Sequence, residues 1–226
     1  MKPWEVIGRT HTPDGTELTL HQHPSGFVIM ANGQSLMTSR SHDSEDALAA
    51  LGCRLARALP RPQVLVGGLG MGFTLRAVLD LMPAAAEVVV VELVPEVVSW
   101  NRGPLGPLAG HPLDDPRVRL EMADVTAYLR AHPATFDAVL LDVDNGSDAL
   151  IFEGNAGLYG AAGLAAAGRA LRPAGVLAVW AAGEDRSFVR RLRAAGLQVR
   201  AERLRSRLEG GRSRHVVYVA QSAVRP

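Results

Sequence analysis

From residue 63 onwards, short apolar segments alternate with segments of helical periodicity, and no other feature of the sequence restricts the fold as strongly. The apolar segments are residues 64–66, 88–91, 138–141 and 176–180. Strands that are apolar on both faces and separated by helices are typical of a mostly parallel sheet with helices on both sides. We therefore predict an α/β domain over residues 43–226.

The first part of the chain carries a different pattern. Residues 17–22 and 27–30 read as short strands, and Asn32-Gly33 is a strong signal for a two-residue hairpin turn. These segments predict a small antiparallel unit of three strands over residues 1–42. Such a unit is marginally stable alone, so we expect it to pack on the larger domain.

Helical periodicity marks the segments between the apolar strands. Apolar residues spaced by three and four predict a helix over residues 43–59. Further helices are predicted over residues 74–82, 95–100, 125–131, 157–171 and 186–195. Further strands are predicted at residues 118–120 and, as a C-terminal antiparallel hairpin, at residues 197–204 and 215–219. Together, the predicted strands from residue 63 onwards form a seven-stranded sheet that is parallel except for this hairpin.

Composition excludes several classes of protein. The chain has 226 residues, 47% hydrophobic and 21% charged, as in globular rather than disordered proteins. Cys53 is the only cysteine, so a disulfide framework and a Cys-based zinc site are excluded within one chain. A net charge of +1 gives no reason to expect a nucleic-acid partner. No apolar run reaches the roughly 18 residues of a membrane helix, and residues 1–5 lack a signal-peptide pattern, so we expect no membrane partner and a cytoplasmic location.

A glycine-rich loop follows the first buried strand and precedes a helix. It contains Gly68, Gly70 and Gly72. Glycines let the backbone turn sharply and approach a ligand closely. The spacing GxGxG departs from the dinucleotide pattern GxGxxG and is the one used for adenosyl-sulfonium ligands, which have no pyrophosphate. The loop therefore indicates such a ligand, and a turn that serves only packing is the alternative.

Acidic residues follow the next two strands. Glu92 lies 20 residues past Gly72, and an acid at about this spacing accepts hydrogen bonds from both ribose hydroxyls. A solvated carboxylate at the end of a strand is the alternative for Glu92. Asp124 follows the third strand, where its carboxylate either accepts the adenine amino group or caps the helix that starts at Val125. The loop and these acids together favour a nucleoside site.

These residues, in this order, resemble the spermidine synthase (polyamine aminopropyltransferase) family of the class I adenosylmethionine-dependent transferase fold. Residues 64–79 are similar to the family's glycine loop and helix, residues 89–98 to its ribose-binding strand, and residues 136–142 to the strand that delivers its catalytic aspartate. The resemblance covers residues 60–180 and implies a Rossmann-like fold. It also implies a nucleoside site formed by Gly68, Gly70, Met71, Gly72, Glu92 and Asp124.

The resemblance also implies which residues carry the chemistry. Asp142 matches the family's base, a carboxylate that holds a protonated amine and then accepts its proton. Asp144 would supply a second negative charge for a cationic acceptor. The alternative for Asp142 is that it caps a turn and orders the following loop.

Two departures from the family pattern bear on the reaction. Met71 stands where the family loop has an aspartate that holds the ammonium group of the donor's aminopropyl arm. Asn145 and Gly146 replace a second aspartate and a proline of the family. We therefore expect weak discrimination against intact adenosylmethionine, and a shift towards the decarboxylated form in a Met71→Asp variant.

The function expected from this resemblance is transfer of an alkyl (aminopropyl) group to an amine or polyamine acceptor. Adenosylmethionine or its decarboxylated form is the expected donor. A methyltransferase, in which Asp142 only positions the acceptor, and a non-catalytic nucleoside-binding protein remain alternatives.

Two further expectations concern metals and oligomers. His21, His23 and His42 match no strong metal motif, so no metal is expected, although metal binding or an acceptor role for residues 42–46 stays open. The N-terminal strands carry apolar residues that a small unit cannot bury alone, so we expect a homodimer through this region. The apolar residues concerned are Phe27, Ile29, Leu36 and Met37.

Overall fold

The computed structural model describes residues 3–142, 156–204 and 215–222, which form two sheets and the helices around them. The strands of the N-terminal sheet are β1 (Glu5–His11), β2 (Glu17–His23), β3 (Gly26–Ala31) and β4 (Gln34–Thr38). Those of the larger sheet are β5 (Gln63–Gly67), β6 (Glu87–Glu92), β7 (Val118–Met122), β8 (Phe136–Leu141), β9 (Leu171–Ala181), β10 (Leu197–Leu204) and β11 (His215–Ser222). The helices are α1 (Asp43–Gly52), α2 (Phe73–Leu81), α3 (Pro95–Arg102), α4 (Val125–Ala131), α5 (Ala156–Tyr159), α6 (Ala161–Ala170) and α7 (Arg186–Ala194).

The larger sheet has the strand order β10-β11-β9-β8-β5-β6-β7. Strands β5 to β9 are parallel, and β11 joins β9 and β10 in antiparallel pairs. The predicted seven-stranded sheet with its C-terminal hairpin is thus confirmed. Strand order reverses between β5 and β8, and in open α/β sheets ligands bind beyond the carboxyl ends of the strands at such a switch point.

The N-terminal sheet is a four-stranded antiparallel meander, so the prediction of three strands is wrong by one. Strand β1 was not predicted, because its residues do not alternate between a buried and an exposed face. The neighbouring residues Val6 and Ile7 are both exposed, at 45% and 37%. The predicted Asn32-Gly33 turn is confirmed, since both residues have positive φ, 46° and 78°, as the hairpin turn requires.

Helix α1 is shorter than the sequence predicts. It ends at Gly52 and not near Leu59, and the apolar Leu55 and Leu59 beyond it are 38% and 41% exposed. Glycine is unfavourable inside a helix, which explains the end. A Cβ at Gly52 would lie 2.9 Å from the Cβ of Ala178, so this residue also lets α1 pack closely on the sheet.

The helix predicted over residues 157–171 is two helices. Gly160 between α5 and α6 is extended, with ψ of 171°, and β9 begins as early as Leu171. A Cβ at Gly163 would lie 2.2 Å from the carbonyl oxygen of Leu158, so only glycine permits the close junction of the two helices.

The sheet separates two buried layers. Along β5, Val64 and Val66 belong to the layer that includes α1, α2 and the N-terminal sheet, whereas Leu65 belongs to the layer that includes α4, α6 and α7. This division follows from the alternation of side chains along a strand. Within the described residues, no helix is long and apolar enough to span a membrane.

Candidate functional site

The glycine loop between β5 and α2 has a backbone that favours glycine at three positions. Gly68, Gly70 and Gly72 have φ angles of 88°, 53° and 83°. A Cβ at Gly72 would lie 2.9 Å from Oδ1 of Asn101. The Asn101 side chain fixes the loop from α3, because its Nδ2 donates to the carbonyl oxygens of Gly70 and Val97 at 2.8 and 2.9 Å. The loop is therefore held in shape by the fold itself.

Glu92 lies at the carboxyl end of β6 and is bound to the glycine loop. Its Oε2 accepts the backbone N–H of Leu69 at 2.9 Å, and its Oε1 accepts those of Leu93 and Val94 at 2.8 and 2.9 Å. Burial raises the pKa of this carboxyl, and the three N–H donors oppose that rise. A carboxylate has about four acceptor positions, so one remains for a ligand hydroxyl where the sequence predicted two.

Asp124 is the N-cap of α4. Its Oδ1 accepts the backbone N–H of Ala127 at 2.7 Å, which is the helix-capping role. The side chain is also exposed to the cavity described below. Capping uses one carboxylate oxygen, so an adenine contact through the other stays a prediction.

Asp142 follows the last residue of β8, and its backbone N–H donates to the carbonyl oxygen of Gly67 at the end of β5. Its Oδ2 accepts a hydrogen bond from Oγ1 of Thr74, in the first turn of α2, at 2.5 Å. The surrounding protein shields this carboxyl from bulk water and raises its pKa, against the effect of the Thr74 hydroxyl. Asp142 is thus a positioned carboxyl with enhanced affinity for a proton. The predicted partner Asp144 lies outside the described residues, as do Asn145 and Gly146.

Met71 does not face the ligand site, where the sequence placed it. Its side chain is 0% exposed and packs in the core, and its backbone N–H contacts Sδ of Met37 at 3.3 Å. The loop therefore presents neither a charge nor the Met71 side chain to a ligand. A Met71→Asp substitution would bury a carboxylate in the core, so it does not test donor preference as the sequence suggested.

A cavity of about 620 Å³ opens at the carboxyl edge of the larger sheet, between that edge and the N-terminal sheet. Its described lining includes five carboxylates and neither Lys nor Arg. The carboxylates belong to Asp14, Glu45, Glu92, Asp124 and Asp142. A cavity with this charge favours a positively charged ligand.

Sequence reasoning did not single out Thr74, and it included Glu45 only within residues 42–46, for which it left an acceptor role open. Thr74 orients Asp142, and Glu45 enters the cavity from the first turn of α1, where it is only 7% exposed. Acidic residues are common in the first turn of a helix, so nothing in the sequence distinguishes Glu45 from Asp43 or Asp46.

The histidines show no metal arrangement. His21 contacts Oγ1 of Thr19 at 2.9 Å, and His42 pairs with Asp46 at 3.0 Å. In the described part of the chain, no group of three His, Cys, Asp or Glu residues is placed to hold a metal ion.

Comparison with known proteins agrees with this geometry. The family described as "Spermine/spermidine synthase domain" matches residues 54–183, which is more than half of the chain. The polyamine aminopropyltransferase of Mycobacterium tuberculosis (strain ATCC 25618 / H37Rv) is 36% identical over 121 residues, covering 52% of this chain and 22% of that protein. The chain therefore spans a small part of that relative's length.

Solved structures resemble nearly the whole chain. Spermidine synthase from Thermotoga maritima superposes with a TM-score of 0.76 at 22% identity, covering 98% of this chain and 74% of that one. A spermidine synthase in complex with the transition state analogue AdoDATO gives a TM-score of 0.74 at 21% identity, covering 98% and 73%. These likenesses establish the fold, and together with the family match they lead to one conclusion. The chain belongs to the spermine/spermidine synthase family.

Proposed function

We propose that this chain binds adenosylmethionine or its decarboxylated form and transfers an alkyl group, aminopropyl in the decarboxylated case, to an amine acceptor. The observation that carries the proposal is the cavity at the sheet edge, where a glycine loop and Glu92 lie beside carboxylates with no Lys or Arg in the described lining. Both substrates, a sulfonium and a protonated amine, are cations. The name of the M. tuberculosis relative and the analogue complex of the similar spermidine synthase support the same reaction.

The residues take the following roles in the proposed reaction. The loop from Gly68 to Gly72 lets the adenosyl group approach the backbone, Glu92 accepts a ribose hydroxyl, and Asp124 accepts from the adenine amino group. Placing the amine in line with the carbon and sulfur of the donor supplies much of the rate.

Asp142 acts as the base. The amine must lose a proton before its lone pair attacks the carbon attached to sulfur, and a carboxyl with a raised pKa is a better proton acceptor at neutral pH. The new carbon–nitrogen bond forms as the carbon–sulfur bond breaks. The bonding electrons leave with sulfur, which becomes a neutral thioether.

Methyl transfer is the second candidate, and the position of Met71 favours it. Since the loop offers no carboxylate to the donor's tail, it does not repel the carboxylate of intact adenosylmethionine.

One experiment separates these functions. The protein is incubated with each sulfonium donor and a panel of amines, and the nucleoside product is identified. Methylthioadenosine supports aminopropyl transfer, and adenosylhomocysteine supports methyl transfer. Donor binding without either product leaves a nucleoside-binding protein and contradicts the proposed transfer.

A further inference from the structure

Glu45 is a buried carboxylate that forms no ion pair with a described Lys or Arg. It is 7% exposed, whereas Asp43 and Asp46 in the same turn of α1 are exposed. Oγ of Ser44 donates to its Oε2 at 2.6 Å. Burying a carboxylate in this way is costly unless something compensates the charge.

Asp142 lies in the same cavity and adds to the effect of burial on Glu45. The two side chains enter the same cavity from α1 and from the end of β8. Burial, and next the negative charge of Asp142, raise the pKa of Glu45 to about 7; the Ser44 hydroxyl and the nearby His42 act in the opposite direction. His42 itself pairs with Asp46.

Most of the other ionisable groups in the described lining of the cavity are also acidic. Asp14, Glu92 and Asp124 are acidic, and His215 of β11 is the remaining titratable group among the described lining residues. Two carboxylates that repel each other in one cavity avoid double ionisation by sharing a proton or by taking up a cation.

We propose that Glu45 and Asp142 together bind one alkylammonium group of the substrate, and that Glu45 is therefore a substrate-binding residue of this cavity. The proposal rests on the proposed function and deepens it. The Met71 side chain lies in the core and the loop offers no carboxylate, so we expect such a group to bind at this pair and not at the loop. The ammonium group belongs either to the acceptor amine or to the tail of the decarboxylated donor, and the experiment distinguishes the two sources.

The test compares Glu45→Gln with the matched control Asp43→Asn, which neutralises an exposed carboxylate of the same turn. Three probes are titrated by calorimetry: methylthioadenosine alone, 1,4-diaminobutane in the presence of methylthioadenosine, and decarboxylated adenosylmethionine. Glu45→Gln is expected to weaken one ammonium-bearing probe by about tenfold to a hundredfold and to leave methylthioadenosine unchanged. Asp43→Asn is expected to behave as the wild type. Loss of diamine affinity assigns the pair to the acceptor, and loss of donor affinity assigns it to the donor's tail.

Proton release provides a second readout that a merely structural role would not change. At pH 7 the wild type is expected to release a fraction of one proton when the ammonium group binds, seen as a difference in binding heat between phosphate and Tris buffers. The Glu45→Gln variant is expected to release a smaller fraction, because Asp142 is then the only member of the pair that can lose a proton. The substitution keeps the size of the side chain and removes a buried charge, so circular dichroism is expected to show an intact fold.

The outcomes separate this inference from the proposed function. If both variants bind both ammonium-bearing probes as tightly as the wild type does, Glu45 is not a ligand, although the transfer function stands. If the wild type binds neither methylthioadenosine nor the donor, the proposed function fails and the assignment of Glu45 fails with it.

Discussion

Glu92 has a structural task as well as its proposed binding task. Since its carboxylate accepts three buried backbone N–H groups, Glu92→Ala is expected to lower the free energy of unfolding by at least about 1–3 kcal/mol. Urea denaturation measures this loss. An unchanged midpoint would contradict the hydrogen bonds described here.

Because that variant is destabilised, the ribose contact is better tested by changing the ligand. The 2′,3′-dideoxy analogue of methylthioadenosine is expected to bind about tenfold or more weakly than methylthioadenosine, since one charge-assisted hydrogen bond is lost. Calorimetry with the unaltered protein gives both dissociation constants. Equal affinities would remove Glu92 from the ribose site.

Glu45 predicts a particular dependence of stability on pH. Its pKa is about 7 in the folded chain and about 4.5 when unfolded, so the folded state binds more protons between these values. Stability therefore falls as pH rises from about 4.5 to about 7, by roughly 3 kcal/mol for this group. Asp142 adds a fall of the same sign.

Thermal unfolding across this pH range measures the effect. The Glu45→Gln variant is expected to show a shallower decline and a higher melting temperature than the wild type at pH 8. A wild-type curve that rises with pH over the same range would contradict the burial of Glu45.

At the scale of single elements, we expect alanine substitutions at two glycines with the same φ angle to differ in their effects on stability and on nucleoside binding. Gly72 and Gly196 both have φ of 83°. A Cβ added at Gly72 would contact Asn101, whereas a Cβ added at Gly196 would have open space around it. Either alanine costs about 1–2 kcal/mol for the left-handed conformation. Gly72→Ala is expected to cost about 1–3 kcal/mol more through crowding, and it alone is expected to weaken methylthioadenosine binding.

Denaturation and calorimetry on the two variants provide the comparison. Equal losses of stability, with nucleoside affinity retained in both, would mean that the loop adapts and that its shape is not required.

The elements also show which parts of the structure the sequence could predict. The strand ends carrying Glu92 and Asp142 were predictable because buried parallel strands are continuous apolar runs, and their carboxyl ends meet at one edge. Strand β1 was not, because its pairing with β2 leaves it largely exposed and without alternation. The cavity position of Glu45 depends on how α1 packs against the sheet, a contact between distant residues that local pattern does not encode.

At the scale of the whole molecule, the two sheets share one core. Leu20 and Ile29 of the N-terminal sheet lie in the same buried cluster as Leu48 and Val66. We therefore expect residues 1–42 and 43–226 to unfold together, although the sequence divides them into two units. Differential scanning calorimetry is expected to give one transition with equal calorimetric and van't Hoff enthalpies. Two separate transitions would show that the N-terminal sheet unfolds independently.

We also propose that the chain forms a homodimer through the N-terminal region, as the sequence suggested, but with other contact residues. Ile29 is 2% exposed, and Phe27, Leu36 and Met37 are partly buried against the core, so these four residues offer little surface to a partner. The exposed apolar residues of this sheet region are Trp4, Val6 and Ile7.

Light scattering on the wild type is expected to give twice the 24.1 kDa mass of the chain. The Val6→Glu variant is expected to be monomeric, whereas Leu59→Glu, which changes an exposed leucine elsewhere, is expected to remain a dimer. A monomeric wild type at micromolar concentration would contradict the proposal.

The five carboxylates in the described lining of the cavity favour a positively charged sulfur over a neutral one. In the proposed transfer the donor enters as a sulfonium and the nucleoside product is a thioether, so the attraction that draws the donor in vanishes at the moment of reaction. The alkylated amine stays cationic and keeps its attraction to the cavity. We therefore expect the nucleoside to dissociate first, and to be a weak product inhibitor whose affinity, unlike that of the donor, hardly changes with salt concentration.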